Sequence, residues 1–187
     1  MIIGLCGAHR TGKTTLARAY ADLMQVTFMP VSISQMQKNI GYDSSYQKYS
    51  WVQRKDIQLS LLEQFEDKLR AINPTHQVIM DRTPLDLIGY LLIHVNEDVP
   101  TQDHGFVQYF INQCVELTNK YFAKVVLVQP GVPLVNENNT SAIANGPVIE
   151  LLNSIYRGYV HPESLHIPHS IIPRAITDLS LRINIIN

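Results

Sequence analysis

The sequence predicts an α/β fold built on a parallel sheet with helices on both faces. Three observations carry that prediction. Apolar runs of strand length alternate with longer runs of helical period. The first of them, Ile2-Ile3-Gly4-Leu5-Cys6, leads straight into a loop bounded by glycines and then into an amphipathic stretch. A later one, Val78-Ile79-Met80, ends in a carboxylate, Asp81. Sheets of this kind place their sites at the carboxyl ends of the strands.

The elements follow in order. Residues 2–6 read as a buried strand, because they are almost wholly apolar. Residues 14–24 put Leu16, Ala19, Tyr20 and Leu23 on one helical face. Residues 26–31 read as a second strand that Pro30 ends, and residues 32–38 as a short helix capped by Ser32. Residues 41–50 are polar and tyrosine-rich, which suits a loop. Residues 51–72 form a long helix with Ile57, Leu61, Phe65 and Leu69 at every fourth position, and Asn73-Pro74 stops it.

Residues 77–81 read as the third strand, 86–94 and 104–120 as helices, and 124–129 as a buried strand through Val125-Val126-Leu127-Val128. Residues 131–146 are rich in Asn, Pro, Ser and Gly, and 148–159 are helical. Together, 131–159 is the expected lid. Leu165-His166-Ile167 is the expected last strand. Ile172, Ile176, Leu179, Ile183 and Ile186 predict a C-terminal amphipathic helix with Pro173 in its first turn. No repeat or linker interrupts the pattern, so residues 1–187 are expected to form a single domain.

Bulk properties narrow the function classes. At 187 residues, 45% hydrophobic and 17% charged, the chain can bury a core and is not of disordered composition. A formal net charge of -1 supplies no long-range field to hold it on nucleic acid or an anionic membrane, although a local basic groove remains open. Cys6 and Cys114 read as small core residues of a reducing compartment. The N-terminal run lacks the basic segment of a signal peptide, and no apolar run reaches membrane-spanning length. A cytoplasmic location with no membrane partner is the expectation.

The sharpest motif is Gly7-Ala8-His9-Arg10-Thr11-Gly12-Lys13-Thr14, which fits G-x-x-x-x-G-K-[ST] at every fixed position. Its context, strand before and helix after, is the one the mechanism needs. The glycines let the backbone turn its N–H groups onto a phosphate, and the helix N-terminus adds positive potential. Lys13 is expected on the β- and γ-phosphates of ATP or a similar nucleoside triphosphate, and the Thr14 hydroxyl on Mg²⁺. Gly7, Thr11, Gly12 and Thr15 complete the cradle. Arg10 lies inside it, pointing either to a phosphate or acceptor or to solvent.

Asp81 can hold Mg²⁺ through water or take the proton of an acceptor hydroxyl, and the sequence leaves both open. Arg82 can bind a phosphate with its planar fork or form a surface ion pair capping the next helix. Thr83-Pro84-Leu85-Asp86 reads as a helix start, which makes Asp86 a cap or helix-dipole partner in preference to a catalyst. Arg157, after the lid loop, can neutralise a transferring phosphoryl group or sit exposed on its helix. Gln53, Arg54 and Gln58, beside Tyr42, Tyr46, Tyr49 and Trp51, are candidates for an acceptor pocket; aromatic packing is the competing use of that cluster. The spacing of His161, His166 and His169 matches no zinc signature.

The phosphate loop, Asp81-Arg82-Thr83-Pro84-Leu85-Asp86 and Gln129-Pro130-Gly131-Val132-Pro133, taken in order, resemble the nicotinamide-riboside-kinase-like branch of P-loop kinases. Phage nucleoside and nucleotide kinases are its neighbours. The resemblance implies a mononucleotide-kinase-like P-loop NTPase fold with a five-stranded parallel sheet, ATP and Mg²⁺. It also implies transfer to a nucleoside- or nucleotide-like acceptor. Phage relatives include kinases of 5-hydroxymethyluracil in DNA, and the Asn, Gln and Ile content suits a phage-encoded chain acting in host cytoplasm. The sequence departs from the branch at Met29-Pro30-Val31-Ser32-Ile33, where no carboxylate follows the second strand, and in a lid poor in arginine. The rival class is a regulatory ATPase or GTPase switch with no small-molecule acceptor. Oligomeric state is not legible.

Overall fold

The computed structural model describes residues 1–42, 49–95, 99–133 and 145–187. Five parallel strands form one sheet in the order β2-β3-β1-β4-β5. They are β1 (Ile2–Cys6), β2 (Thr27–Met29), β3 (Val78–Met80), β4 (Lys124–Val128) and β5 (His169–Ile172). The helices are α1 (Lys13–Met24), α2 (Ile33–Asn39), α3 (Trp51–Arg70), α4 (Pro84–Leu92), α5 (His104–Tyr121), α6 (Gly146–Tyr159) and α7 (Leu179–Ile186).

Strand alternation divides the core between the two faces of the sheet. Cys6, Met80, Val125 and Leu127 pack with residues of α3, α4, α5 and α6. Ile3, Leu5, Ile79, Val126, Val128 and Ile172 pack with α1 and α7. Successive residues therefore point to opposite helical layers, which is why the strands read as unbroken apolar runs. Cys6 and Cys114 are both buried and free. Among the described residues, no helix is long and apolar enough to cross a membrane.

Most predicted elements stand within two residues of their expected bounds; α2 starts from Ser32, whose hydroxyl accepts the Gln35 N–H at 3.2 Å. The C-terminus departs. Leu165-His166-Ile167 is not a strand; the last strand is His169–Ile172, part of which the periodicity assigns to a helix. Pairing decides the matter, since Val125, Val126, Leu127 and Val128 take His169, Ser170, Ile171 and Ile172 as partners. A strand there satisfies the open hydrogen-bonding edge of β4, which no helix could do. Pro173 follows the strand, and the helix is confined to Leu179–Ile186. Tyr46 and most of the expected lid loop, residues 134–144, lie outside the described residues.

Candidate active site

β1 ends in the phosphate loop because Gly7 permits it. Gly7 has φ 147°, and a Cβ there would lie 2.5 Å from the Val128 carbonyl oxygen of the adjacent strand. Only glycine lets the chain leave the sheet at that point. Arg10 (φ 61°) and Gly12 (φ 84°) continue the turn in left-handed conformation, and Gly12 is the N-cap of α1. The Thr11 hydroxyl donates to the Ala8 carbonyl at 3.1 Å and braces the loop from within. The Lys13 ammonium donates to the carbonyls of Gly7 (2.7 Å) and Ala8 (2.6 Å), so it arches across the loop. Burial, helped by the neighbouring Arg82 charge, pulls the Lys13 pKa down to about 8. Thr14 and Thr15 are exposed at the mouth.

The loop meets Asp81 directly. The Thr14 hydroxyl donates to Asp81 Oδ2 at 2.7 Å, and the Val31 N–H donates to Oδ1 at 2.9 Å. Both carboxylate oxygens are thus engaged, one by the phosphate-loop helix and one by the segment after β2. Donating its proton leaves the Thr14 oxygen lone pairs for a cation, so these two side chains fit Mg²⁺ as ligand and supporting carboxylate.

From Thr14 and Asp81 a cavity of about 440 Å³ extends between the β2–α2 segment, α3, α4 and α6. Arg54, Gln58 and Arg82 line it, as do Gln37 and His94, which sequence reasoning did not single out. Gln58 is 6% exposed, and its Oε1 is buried with no hydrogen-bond partner. Gln37 is 3% exposed. Burial, together with the Arg54 charge, lowers the His94 pKa to about 4, so its imidazole is neutral near pH 7. Two carboxamides and a neutral imidazole in a mostly apolar cleft suit a planar, hydrogen-bonding ligand.

Arg82 donates to Asp86 at 3.2 Å and lies 5.6 Å from the centre of the Tyr90 ring. It therefore lines the cavity and also forms an ion pair, one that is largely buried and not the surface pair the sequence allowed. Burial works against its charge, but Tyr90 and Asp86 outweigh that and hold its pKa above the ordinary arginine value.

Other candidates fall elsewhere. Gln53 is exposed and spent on the α3 cap: its Oε1 accepts the Ser50 N–H at 2.9 Å, and its own N–H donates to the Ser50 hydroxyl at 3.3 Å. A serine three residues before a glutamine favours that use, and Gln53 does not line the cavity. Arg157 stands exposed on α6, whose buried face carries Ile149, Leu152, Asn153 and Tyr156. Trp51 donates to Asp103 at 2.9 Å and packs on Phe106, away from the cavity. No group of three or more His, Cys, Asp or Glu among the described residues could hold a metal, the three C-terminal histidines included.

One residue the sequence did not flag touches the loop. Arg182 of α7 is 2% exposed, and its Nη1 donates to the Thr11 carbonyl at 3.0 Å. A lone arginine between Leu181 and Ile183 is the only signal the sequence offers for it.

An AAA domain family model matches residues 2–144. The chain belongs to that AAA domain family. The match runs from β1 through the phosphate loop and β3 to the segment before α6. No curated protein sequence matches the chain. Among solved structures, deoxyadenosine kinase from M. mycoides with bound dATP superposes with a TM-score of 0.63 at 16% identity. The alignment covers 100% of this chain and 97% of that one. NadR protein in complex with NR gives a TM-score of 0.66 at 14% identity over 99% of this chain and 48% of that one. Shikimate kinase from Acinetobacter baumannii in complex with shikimate gives 0.51 at 13% identity, covering 98% and 88%. These likenesses place this AAA domain family member in the P-loop, mononucleotide-kinase-like fold.

Proposed function

We propose that the protein is an ATP-dependent kinase that passes the γ-phosphoryl group to a hydroxyl or phosphate of a nucleoside- or nucleotide-like acceptor. The observation that carries this reading is the continuity of the site. The Thr14–Asp81 hydrogen bond forms the wall between the phosphate loop and the 440 Å³ cavity. A switch that only hydrolyses nucleotide needs no such cavity beside the γ-phosphate.

In the proposed reaction the acceptor oxygen forms a bond to the γ-phosphorus as the bond to the β,γ-bridging oxygen breaks. ADP departs with that electron pair, and the proton of an acceptor hydroxyl passes to solvent water. Mg²⁺, when bound, neutralises phosphate charge. Lys13 exchanges its bonds to the Gly7 and Ala8 carbonyls for phosphate oxygens. Asp81, with both oxygens engaged, acts as organiser of Thr14 and of the β2–α2 segment more than as base. Arg82 faces the transferring group. Gln58 and Gln37 meet the acceptor's hydrogen-bonding edge, with Arg54 and His94 beside them. The cavity is enclosed on several sides, which favours a free small acceptor; a base within DNA would have to be extruded to enter.

The test is transfer of labelled γ-phosphate from ATP, with Mg²⁺, to a panel of acceptors. The panel holds nucleosides including nicotinamide riboside, nucleoside monophosphates, and DNA with and without 5-hydroxymethyluracil. Label on a nucleoside or monophosphate is expected. ATP hydrolysis with no labelled acceptor would overturn the kinase reading in favour of a switch, and label on DNA alone would overturn the small-acceptor reading.

A further inference from the structure

Asp86 does more than begin a helix. It is wholly buried in the first turn of α4. Its Oδ2 accepts the Thr83 N–H at 2.9 Å and the Thr83 hydroxyl at 3.2 Å, and its Oδ1 accepts Arg82 at 3.2 Å. Its backbone carbonyl accepts the hydroxyl of Tyr156, a fully buried residue of α6, at 3.1 Å. Gly89, one turn on, makes that contact possible, since a Cβ there would lie 2.4 Å from the Tyr156 hydroxyl. A cap needs only the bonds to Thr83. A buried carboxylate is costly to desolvate, and the neutral amide oxygen of an Asn at this third helical position could accept the Thr83 N–H without that cost.

The charge has a different use: it faces Arg82. The guanidinium carries five donors in a rigid fork. With one nitrogen held by Asp86 and the Tyr90 ring alongside, the fork is fixed at the cavity wall beside Asp81. We propose that Asp86 is a positioning residue for phosphoryl transfer, fixing the Arg82 guanidinium so that its remaining donors meet the γ-phosphoryl group. This inference rests on the reading of Arg82 given above. Asp86 touches neither nucleotide nor acceptor and gives up no proton. It acts through Arg82, and Tyr156 ties the same turn to α6.

The test uses the whole 187-residue chain and needs no acceptor. Affinities for ADP and for AMP-PNP, both with Mg²⁺, are measured by calorimetry for wild type, Arg82→Gln, Asp86→Asn and the double variant, with melting temperatures alongside. The wild type is expected to prefer AMP-PNP. Arg82→Gln and Asp86→Asn should each lose about tenfold of that preference while ADP affinity stays unchanged, as expected for one charge-assisted contact misplaced. The double variant should lose no more than either single one. Additive losses, or an Asp86→Asn protein that melts early yet keeps its preference, would make Asp86 structural only and overturn the inference. If Arg82→Gln keeps the preference, the reading of Arg82 fails first and takes the inference with it. Should Asp86→Asn not fold, Asp86→Glu decides. It keeps charge and cap but displaces the fork, so an undiminished preference for AMP-PNP overturns the inference and a reduced one supports it.

Discussion

Replacing Asp81 with Asn probes the junction between phosphate loop and cavity, and its consequence can be worked from two hydrogen bonds. Oδ1 accepts the Val31 N–H at 2.9 Å, and Oδ2 accepts the Thr14 hydroxyl at 2.7 Å. An Asn can satisfy Val31 only with its carbonyl oxygen, because an amide nitrogen there would face another N–H. Its NH₂ must then face Thr14, where it donates to the hydroxyl oxygen. One of the two lone pairs of that oxygen is then taken, its own proton has lost its acceptor, and the negative charge supporting Mg²⁺ is gone. Losing one charge-assisted contact costs about 1.5–3 kcal/mol, or about 10- to 150-fold in affinity. Stability should fall by no more than about 1 kcal/mol, since both hydrogen-bond sites remain occupied. Calorimetric titration of ATP with Mg²⁺, and again with EDTA, separates the effects. Mg²⁺-dependent tightening should shrink by the stated factor, while the EDTA affinity stays near that of wild type. Equal loss in both conditions, or full Mg²⁺ dependence in the variant, would refute the assignment.

Three further outcomes are expected. Gly7→Ala should abolish ATP binding and lower stability by about 1–3 kcal/mol, because the added methyl meets the Val128 carbonyl at 2.5 Å and the backbone is strained at φ 147°; thermal melts with and without nucleotide check both effects. Gln58→Met should raise stability by about 1 kcal/mol, by removing a buried oxygen without a partner, while sharply lowering kcat/KM for the acceptor found in the transfer assay. The third concerns pH. His94 has a folded-state pKa of about 4 against a usual 6.5, so between those values the unfolded chain binds the proton and the folded chain does not. Stability should fall as pH drops from 6.5 towards 4, and His94→Gln should flatten that slope in melting temperature against pH.

Local features are legible in the residues themselves. The phosphate loop is contiguous, and its φ-positive turn needs glycines at set positions, so eight residues announce its conformation. The place of Asp81 is legible because a carboxylate at the carboxyl end of an apolar strand stands where such sheets build their sites, while its choice between metal organiser and base is not. Gln53 is a candidate for the acceptor pocket only while Ser50, three residues earlier, is left out of account; the pair forms a cap instead. The C-terminal strand escapes sequence reasoning for another reason. Ile172, Ile176, Leu179, Ile183 and Ile186 keep helical spacing, yet Ile172 pairs with Val128 and only the last residues are helical.

By itself, then, the sequence determined the order of most strands and helices, the phosphate loop and the carboxylate beside it, because each is encoded in neighbouring residues. Tertiary structure alone decided that Gln37, Gln58, Arg82 and His94 line one cavity and that Asp86 pairs with Arg82 under Tyr156. It also decided that Arg182 reaches back to Thr11, 171 residues away in the chain. Those contacts join separate elements, and they exist only once the apolar faces of α3, α4, α6 and α7 have packed on the sheet. Burial then leaves each polar group only the partners the fold has brought within reach.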